Sequence, residues 1–192
     1  MSLRPVKKDG NGDEYYTPKY VVEILLPYLK ETDIKTIWCP CDKETSEYVI
    51  VLKEHGYNVI ATHIDNGENI LTYTPKEPFD AVITNPPFSI KNEIINKLNN
   101  LGKPFALLLS ATCVQSASLI KLISETKRFY FVMFDKRISY DGDRPPFPSW
   151  YFTGNFLNKN EFYIYKEKPI KLFKEWENKT INKIETQMKM NF

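Results

Sequence analysis

Short apolar segments that favour strands alternate with longer amphipathic segments, and this alternation limits the fold of the chain more than any other feature. Strands are predicted at residues 35–39, 58–64, 79–85, 105–110 and 129–134, and helices at 17–29, 47–55, 90–101 and 115–127. The segment Phe105–Ser110 (FALLLS) carries an unbroken apolar run, which is typical of a strand covered on both faces. The sequence therefore predicts an α/β fold with a mostly parallel sheet and helices on both sides.

The pattern changes after residue 135, where a stretch rich in proline and aromatic residues (KRISYDGDRPPFPSW) is followed by two β-prone stretches at 150–156 and 161–166. Their spacing predicts an antiparallel hairpin that finishes the sheet. We expect a polar N-terminal segment (1–14), one domain (15–168) and a charged C-terminal helix (169–192). At the start of the domain, Thr17 is predicted to be the N-cap of the first helix and Pro18 its first residue.

Composition excludes several classes of protein. With 26 basic and 24 acidic residues the formal charge is +2, which argues against a protein that coats a polyanion. The three cysteines, Cys39, Cys41 and Cys113, are odd in number and lack C-x-x-C spacing, so we expect reduced thiols, no disulfide framework and no metal site. The N-terminal residues are polar, and no apolar run approaches the roughly 20 residues of a membrane span. These features predict a soluble, cytoplasmic protein.

The segment Asn85-Pro86-Pro87-Phe88 follows the third predicted strand, where open α/β sheets bind their ligands. The Asn85 side-chain oxygen and the Pro86 carbonyl oxygen can each accept an N–H bond from an amino group on a planar ring. Two prolines hold these acceptors in place, and Phe88 offers a face on which the ring can stack. The arrangement suits methyl transfer to such an amine, because the acceptors draw its nitrogen towards tetrahedral geometry. A rigid turn closed by an apolar side chain is the alternative role.

This segment resembles the catalytic motif of the S-adenosylmethionine-dependent amino-methyltransferases, and most of all that of the N6-adenine DNA methyltransferases. The resemblance covers about residues 15–156. It implies a Rossmann-like methyltransferase fold with a mostly parallel, seven-stranded sheet that ends in a hairpin. It also implies S-adenosylmethionine as the cofactor and adenine-containing DNA as the substrate. A compact chain without a separate target-recognition domain is similar to phage or mobile-element forms.

The same resemblance implies which residues bind the cofactor. Tyr16-Thr17-Pro18 is similar to the N-terminal motif whose hydroxyl and backbone contact the methionine part of the cofactor. The strand ends supply the remaining positions, which are Cys39, Pro40, Cys41 and Asp42 after the first strand, Asp65 and Asn69 after the second, and Asn85 after the third. Asp65 takes the place of the acidic residue that binds the ribose hydroxyls.

The first turn departs from the family pattern. Residues 42–46 (DKETS) contain no glycine, and Cys39 stands where the family has an acidic residue. A positive φ in such a turn costs about 1–2 kcal/mol for a residue other than glycine. The alternative to cofactor binding for Cys39 and Cys41 is a structural role as small buried side chains at the end of the strand. Weaker cofactor binding is therefore expected.

The stretch from Arg137 to Trp150 is the second region with functional candidates. A base that leaves the DNA stack needs flat walls and basic groups at the phosphates. The resemblance implies Phe88 as one wall, Tyr140, Phe147 or Trp150 as the other, with Tyr140 and Phe147 preferred, and Arg137 and Arg144 as phosphate contacts. Packing of the aromatic side chains against the sheet is the alternative.

Three other functions stay open on the sequence alone. An RNA base amine or a glutamine side-chain amide in a protein would present a planar NH₂ to the same two acceptors. The third alternative is a nucleic-acid-binding relative that has lost the cofactor together with the glycines of the turn. No insertion is long enough for a recognition domain, so sequence specificity is expected to be low or to come from a partner.

Overall fold

A mixed β-sheet organises the part of the chain that the structure, a computed structural model, describes, namely residues 16–126, 128–140 and 147–163. Its strands are β1 (Thr36–Pro40), β2 (Asn58–Thr62), β3 (Ala81–Thr84), β4 (Phe105–Ser110), β5 (Phe129–Phe134), β6 (Ser149–Gly154) and β7 (Glu161–Tyr163). The helices are α1 (Lys19–Glu23), α2 (Leu26–Lys30), α3 (Glu47–Glu54), α4 (Lys91–Leu101) and α5 (Ala117–Glu125). The predicted α/β fold is confirmed, whereas the predicted helix at 169–192 and Arg144 lie outside the described residues.

The strand order is β2-β1-β3-β4-β6-β5-β7. Strands β1 to β4 are parallel to one another, β6 runs antiparallel between β4 and β5, and the short β7 pairs in parallel with β5 at the edge. The predicted C-terminal hairpin is therefore wrong. Because β4 and β5 occupy both sides of β6, β7 cannot pair with β6 and pairs instead with β5 at the edge of the sheet.

Gly154 shows how closely β6 is fitted against β4. It pairs with Phe105, and a Cβ built at position 154 would overlap the Phe105 ring. The absence of a side chain at this position lets the phenyl ring lie across the strand.

The first predicted helix is divided in two. Residues 24 and 25 separate α1 from α2, and Pro27 lies in the first turn of α2. A proline has no N–H to donate and its ring clashes with the carbonyl four residues earlier, which breaks a continuous helix. The predicted N-cap is also wrong by one residue: Pro18 is the N-cap of α1 and makes no side-chain capping bond.

Two apolar layers cover the sheet. One layer joins α1, α2 and α3 to one face and contains Leu25, Tyr48 and Tyr151, while the other joins α4 and α5 to the opposite face around Trp38. The Tyr48 and Tyr151 hydroxyls lie 3.0 Å apart, and the Tyr151 hydroxyl donates to the Val21 carbonyl at 3.2 Å. Within the described ranges, no helix has both the length and the apolar character needed to cross a membrane.

Candidate functional site

The ends of three parallel strands bring the predicted site residues to one edge of the sheet. β1 lies between β2 and β3, with Pro40 opposite Thr62 and Trp38 opposite Val82. The segments that follow these strands, residues 41–46, 63–69 and 85–88, therefore leave the sheet at its carboxyl edge. Ligands of open α/β sheets bind at this edge.

The NPPF corner, residues Asn85–Phe88, connects β3 to a 3₁₀ turn that leads into α4. Pro86 is buried, whereas Asn85, Pro87 and Phe88 are half-buried. The Asn85 amide oxygen, Oδ1, is itself buried. The Phe88 carbonyl accepts a bond from Lys91 Nζ at 3.3 Å. The corner thus reaches the surface through three of its four residues.

The first turn, residues 41–46, adopts a strained conformation at one position. Cys41 has φ of 69°, in the left-handed region that glycine occupies most easily. Ser46 then caps α3, since its hydroxyl accepts a bond from the Val49 N–H at 3.3 Å. Cys39 is buried in the core, and burial raises the pKa of its thiol well above the usual value. Its side chain therefore has the structural role that the sequence left open.

Asp42 supplies a buried acidic group just beyond β1. Its Oδ2 lies 2.6 Å from Thr84 Oγ1, and the Thr84 hydroxyl also bonds to the Pro40 carbonyl oxygen. Burial raises the pKa of Asp42 to about 7, although hydrogen bonds from Thr84 and Ser46 act in the opposite direction. The acidic side chain next to the end of β1 is therefore Asp42, three residues after Cys39.

Thr84 is the site residue that sequence reasoning missed. It is fully buried at the end of β3 and directly precedes Asn85. The available signal was a hydroxyl residue at the end of an otherwise apolar strand (AVIT).

Asp65 is exposed beyond the end of β2. Lys43 Nζ lies 2.6 Å from Asp65 Oδ2 and holds the pKa of that carboxyl below its usual value. His63 caps the 3₁₀ turn 64–66, because its Nδ1 accepts a bond from the Asp65 N–H at 3.1 Å. Asn69 Oδ1 accepts a bond from the Leu71 N–H at 2.9 Å, which fixes the following turn. This side chain is thus partly committed to the backbone.

The N-terminal motif supports a polar ligand next to α1. Tyr16 is 50% exposed, whereas Thr17 is buried. Thr17 Oγ1 makes no hydrogen bond to any part of the chain that the structure describes. A buried hydroxyl without a partner costs about 1–3 kcal/mol, so a ligand that bonds to Thr17 would remove this penalty. The residues present therefore fit a cofactor with a polar amino-acid part.

The substrate candidates do not form one surface. Phe88 and Phe147 contact each other edge to face, with ring centroids 5.5 Å apart at 70°. Tyr140 is 3% exposed, and its hydroxyl donates to Ser149 Oγ at 3.3 Å, so it lies in the core. Arg137 is exposed. Trp150 packs against Phe131 at 6.2 Å, which is the structural alternative considered above.

Across 16–126, 128–140 and 147–163, no cluster of three or more His, Cys, Asp or Glu residues is arranged to hold a metal ion. A cavity of about 290 Å³ lies at the amino-terminal end of the parallel strands, next to Ile34, Asp80 and Pro104.

The fold is shared with two solved structures. One is assigned as the modification subunit of a type I restriction enzyme from Vibrio vulnificus YJ016, with a TM-score of 0.56 and 12% identity over 83% of this chain. This chain spans only 49% of that one. The other is assigned as a class I S-adenosylmethionine-dependent methyltransferase from Listeria monocytogenes, with a TM-score of 0.51 and 9% identity over 84% of this chain and 69% of that one. At such identities the likeness shows the fold alone. The sequence matches no protein-family model and no curated protein.

Proposed function

We propose that this protein is an S-adenosylmethionine-dependent methyltransferase that methylates the exocyclic N6 amino group of adenine in DNA. One observation carries the proposal: the NPPF corner lies at the carboxyl edge of the sheet, beside the ends of β1 and β2, and reaches the surface. A corner with two carbonyl-type acceptors and an aromatic side chain suits an amine attached to a flat ring. The fold shared with a restriction-enzyme modification subunit agrees with DNA as the substrate.

Residues at three strand ends would hold the cofactor. The Asp65 side chain is 58% exposed and pairs with Lys43. Its carboxylate can accept hydrogen bonds from two vicinal hydroxyls while it keeps the contact with Lys43. The buried Thr17 hydroxyl would bond to the amino-acid part. When bound, S-adenosylmethionine supplies an electrophilic methyl group. The glycine-less first turn limits its affinity, because Cys41 already has a strained backbone.

The NPPF corner would position the amine. Asn85 Oδ1 and the Pro86 carbonyl accept its two N–H groups, which aims the nitrogen lone pair away from both acceptors. Because the Asn85 Oδ1 is buried, the amide group must reorient before its oxygen can reach the substrate. After the nitrogen gains a methyl group, it carries positive charge that the two oxygens stabilise until a proton leaves.

Phe88 is the stacking residue that the geometry supports. The Phe88 and Phe147 rings touch edge to face and leave no space for a third ring between them. A base that enters between these two rings would therefore have to displace Phe147. Arg137, which is exposed, remains the proposed phosphate contact.

The test is transfer of a labelled methyl group to DNA, RNA and protein in parallel reactions, followed by mass spectrometry of the modified residue. We expect N6-methyladenine in DNA, and no label in DNA whose adenines are replaced by purine, which lacks the amino group. Label in an RNA base or a glutamine peptide but not in DNA would assign another substrate. Absence of thermal stabilisation by both S-adenosylmethionine and S-adenosylhomocysteine at millimolar concentration would indicate a non-catalytic binding protein.

Asn85→Ala is the matched variant for the mechanism. It should abolish turnover and leave cofactor binding nearly unchanged, because Asn85 is proposed to bind the acceptor amine. Asn96→Ala is the control, since Asn96 is exposed on α4 and away from the strand end. Wild-type turnover by Asn85→Ala would remove Asn85 from the mechanism.

A further inference from the structure

The Thr84 hydroxyl lies between two oxygen atoms at the carboxyl edge of the sheet. Thr84 is fully buried, and its Oγ1 contacts the Pro40 carbonyl oxygen and lies 2.6 Å from Asp42 Oδ2. Pro40 ends β1 and Asp42 belongs to the first turn, whereas Thr84 directly precedes Asn85. One side chain thus connects the first turn to the NPPF corner.

A count of protons shows which form of Asp42 this geometry requires. A threonine hydroxyl has one proton, and the Pro40 carbonyl can only accept. If Asp42 is ionised, it also can only accept, so one proton faces two acceptors. If Asp42 is a neutral acid, it donates to Thr84 Oγ1 and Thr84 donates to the Pro40 carbonyl. The neutral form alone satisfies both contacts at once.

The surroundings of Asp42 agree with the neutral form. Burial raises the pKa of this carboxyl to about 7. The groups that face it are the Ser46 hydroxyl at the start of α3, the Cys39 thiol on β1, and the phenols of Tyr48 and Tyr151. None of these groups carries a positive charge that would offset a buried carboxylate.

Lys43, the neighbouring cation in the sequence, has its side chain 48% exposed and pairs with Asp65. It therefore faces the second strand end and solvent. The carboxyl of Asp42 is left with hydroxyl, thiol and phenol groups around it, which favours the form without charge.

We propose that Thr84 and neutral Asp42 are positioning residues that form a two-proton clamp and set the spacing between the first turn and the NPPF corner. The proposal rests on the proposed function, since these two segments are the ones assigned to cofactor and amine. When Asp42 ionises, Thr84 turns its proton to the carboxylate and releases the Pro40 carbonyl. The end of β1 then loses this hydrogen bond to Thr84, while the first turn keeps the contact between Asp42 and Thr84.

The clamp predicts different pH profiles for three variants. Wild-type kcat should fall as the pH rises above about 7. Asp42→Asn should lose this fall with pH, whatever its absolute kcat, because its amide donates to Thr84 and does not titrate. Thr84→Val should lose about 10²-fold in kcat at every pH, the order expected for a misplaced reacting group. Thr84→Ser keeps the hydroxyl and should restore the wild-type profile.

A titration of the Asp42 carboxyl carbon by NMR tests the clamp without substrate. We expect a midpoint near 7 in the wild type and a higher one in Thr84→Val, which lacks the donor to the ionised form. A wild-type midpoint near the ordinary value of about 4 overturns the clamp, and so does a midpoint that Thr84→Val leaves unchanged. Wild-type kcat in Thr84→Val, measured per folded molecule, also overturns it.

Failure of the proposed function has a different signature. If the wild type methylates no substrate, the proposed function is overturned, and the NMR midpoints of wild type, Thr84→Val and Thr84→Ser then decide the clamp. A Thr84→Ser midpoint equal to that of the wild type supports it, and one equal to that of Thr84→Val overturns it. If Thr84→Val does not fold, a wild-type midpoint near the ordinary value of about 4, or a kcat of Asp42→Asn that still falls as the pH rises above about 7, overturns the clamp without it.

Discussion

Replacement of Asp42 by asparagine measures how much the raised pKa of this buried carboxyl contributes to the free energy of unfolding. In the folded protein burial raises the pKa of Asp42 from 3.8 to about 7, whereas the unfolded chain exposes the carboxyl to water. At 1.36 kcal/mol per pKa unit, this rise corresponds to about 4 kcal/mol in the free energy of unfolding. Asparagine has nearly the same shape and can donate to Thr84, but it does not ionise.

The sign follows from which state holds the proton more tightly. Between pH 3.8 and about 7 the folded state binds the Asp42 proton and the unfolded state releases it. The contribution of Asp42 to stability is therefore complete below pH 3.8 and is lost as the pH rises through about 7. Relative to Asp42→Asn, the wild type should lose about 4 kcal/mol between pH 4 and pH 8. Asp65 and Asp80 have lowered pKa values and act in the opposite direction, but they do so in both proteins and cancel.

The assay is urea unfolding of both proteins at five pH values from 4 to 8 and constant ionic strength. Fluorescence of the buried Trp38 reports the transition. The quantity that decides is the difference between the two free energies of unfolding at each pH. A difference that changes by less than about 1 kcal/mol across this range, or that changes in favour of the wild type as the pH rises, would refute the argument from burial.

Three further predictions test the backbone, the sheet and the stacking residue. Cys41→Gly should stabilise the protein by about 1 kcal/mol in urea unfolding because it relieves a positive φ, whereas Cys113→Gly, at a position without positive φ, should not; a destabilised Cys41→Gly would contradict this. Gly154→Ala should destabilise by about 1–3 kcal/mol because its Cβ overlaps the Phe105 ring, and an unchanged urea midpoint would show that β4 and β6 separate easily. Phe88→Ala should lower both DNA affinity and turnover while Phe88→Trp keeps part of each, and equal loss in both variants would argue against stacking.

Local sequence patterns were sufficient for most of the elements. The apolar run of β4 and the β-prone run of β5 begin and end at the predicted residues, and Gly102 ends α4 with φ of 65°. The division of the first helix was also visible in the sequence, since Pro27 marks it. It was missed because the apolar spacing through Leu29 is helical on both sides of the proline.

Contacts between distant residues were not accessible in this way. The pair of Thr84 and Asp42 joins residues 42 positions apart, and the pair of Phe88 and Phe147 is more widely separated. The place of β6 in the sheet depends on which strand edges are free after the other strands have paired. No pattern within residues 149–154 distinguishes an edge hairpin from insertion between two strands.

The insertion of β6 has a consequence for the order of assembly. In the described sheet, β5 and β7 are joined by strand pairing to the remainder only through β6, which pairs with β4 on one side and β5 on the other. The apolar edge of β4 therefore stays open during synthesis until the ribosome has released residue 154. Such delayed, non-local pairing slows folding and leaves an unpaired strand edge that can aggregate with other nascent chains. A chaperone that shields this edge would be most useful in the interval between emergence of β4 and arrival of β6.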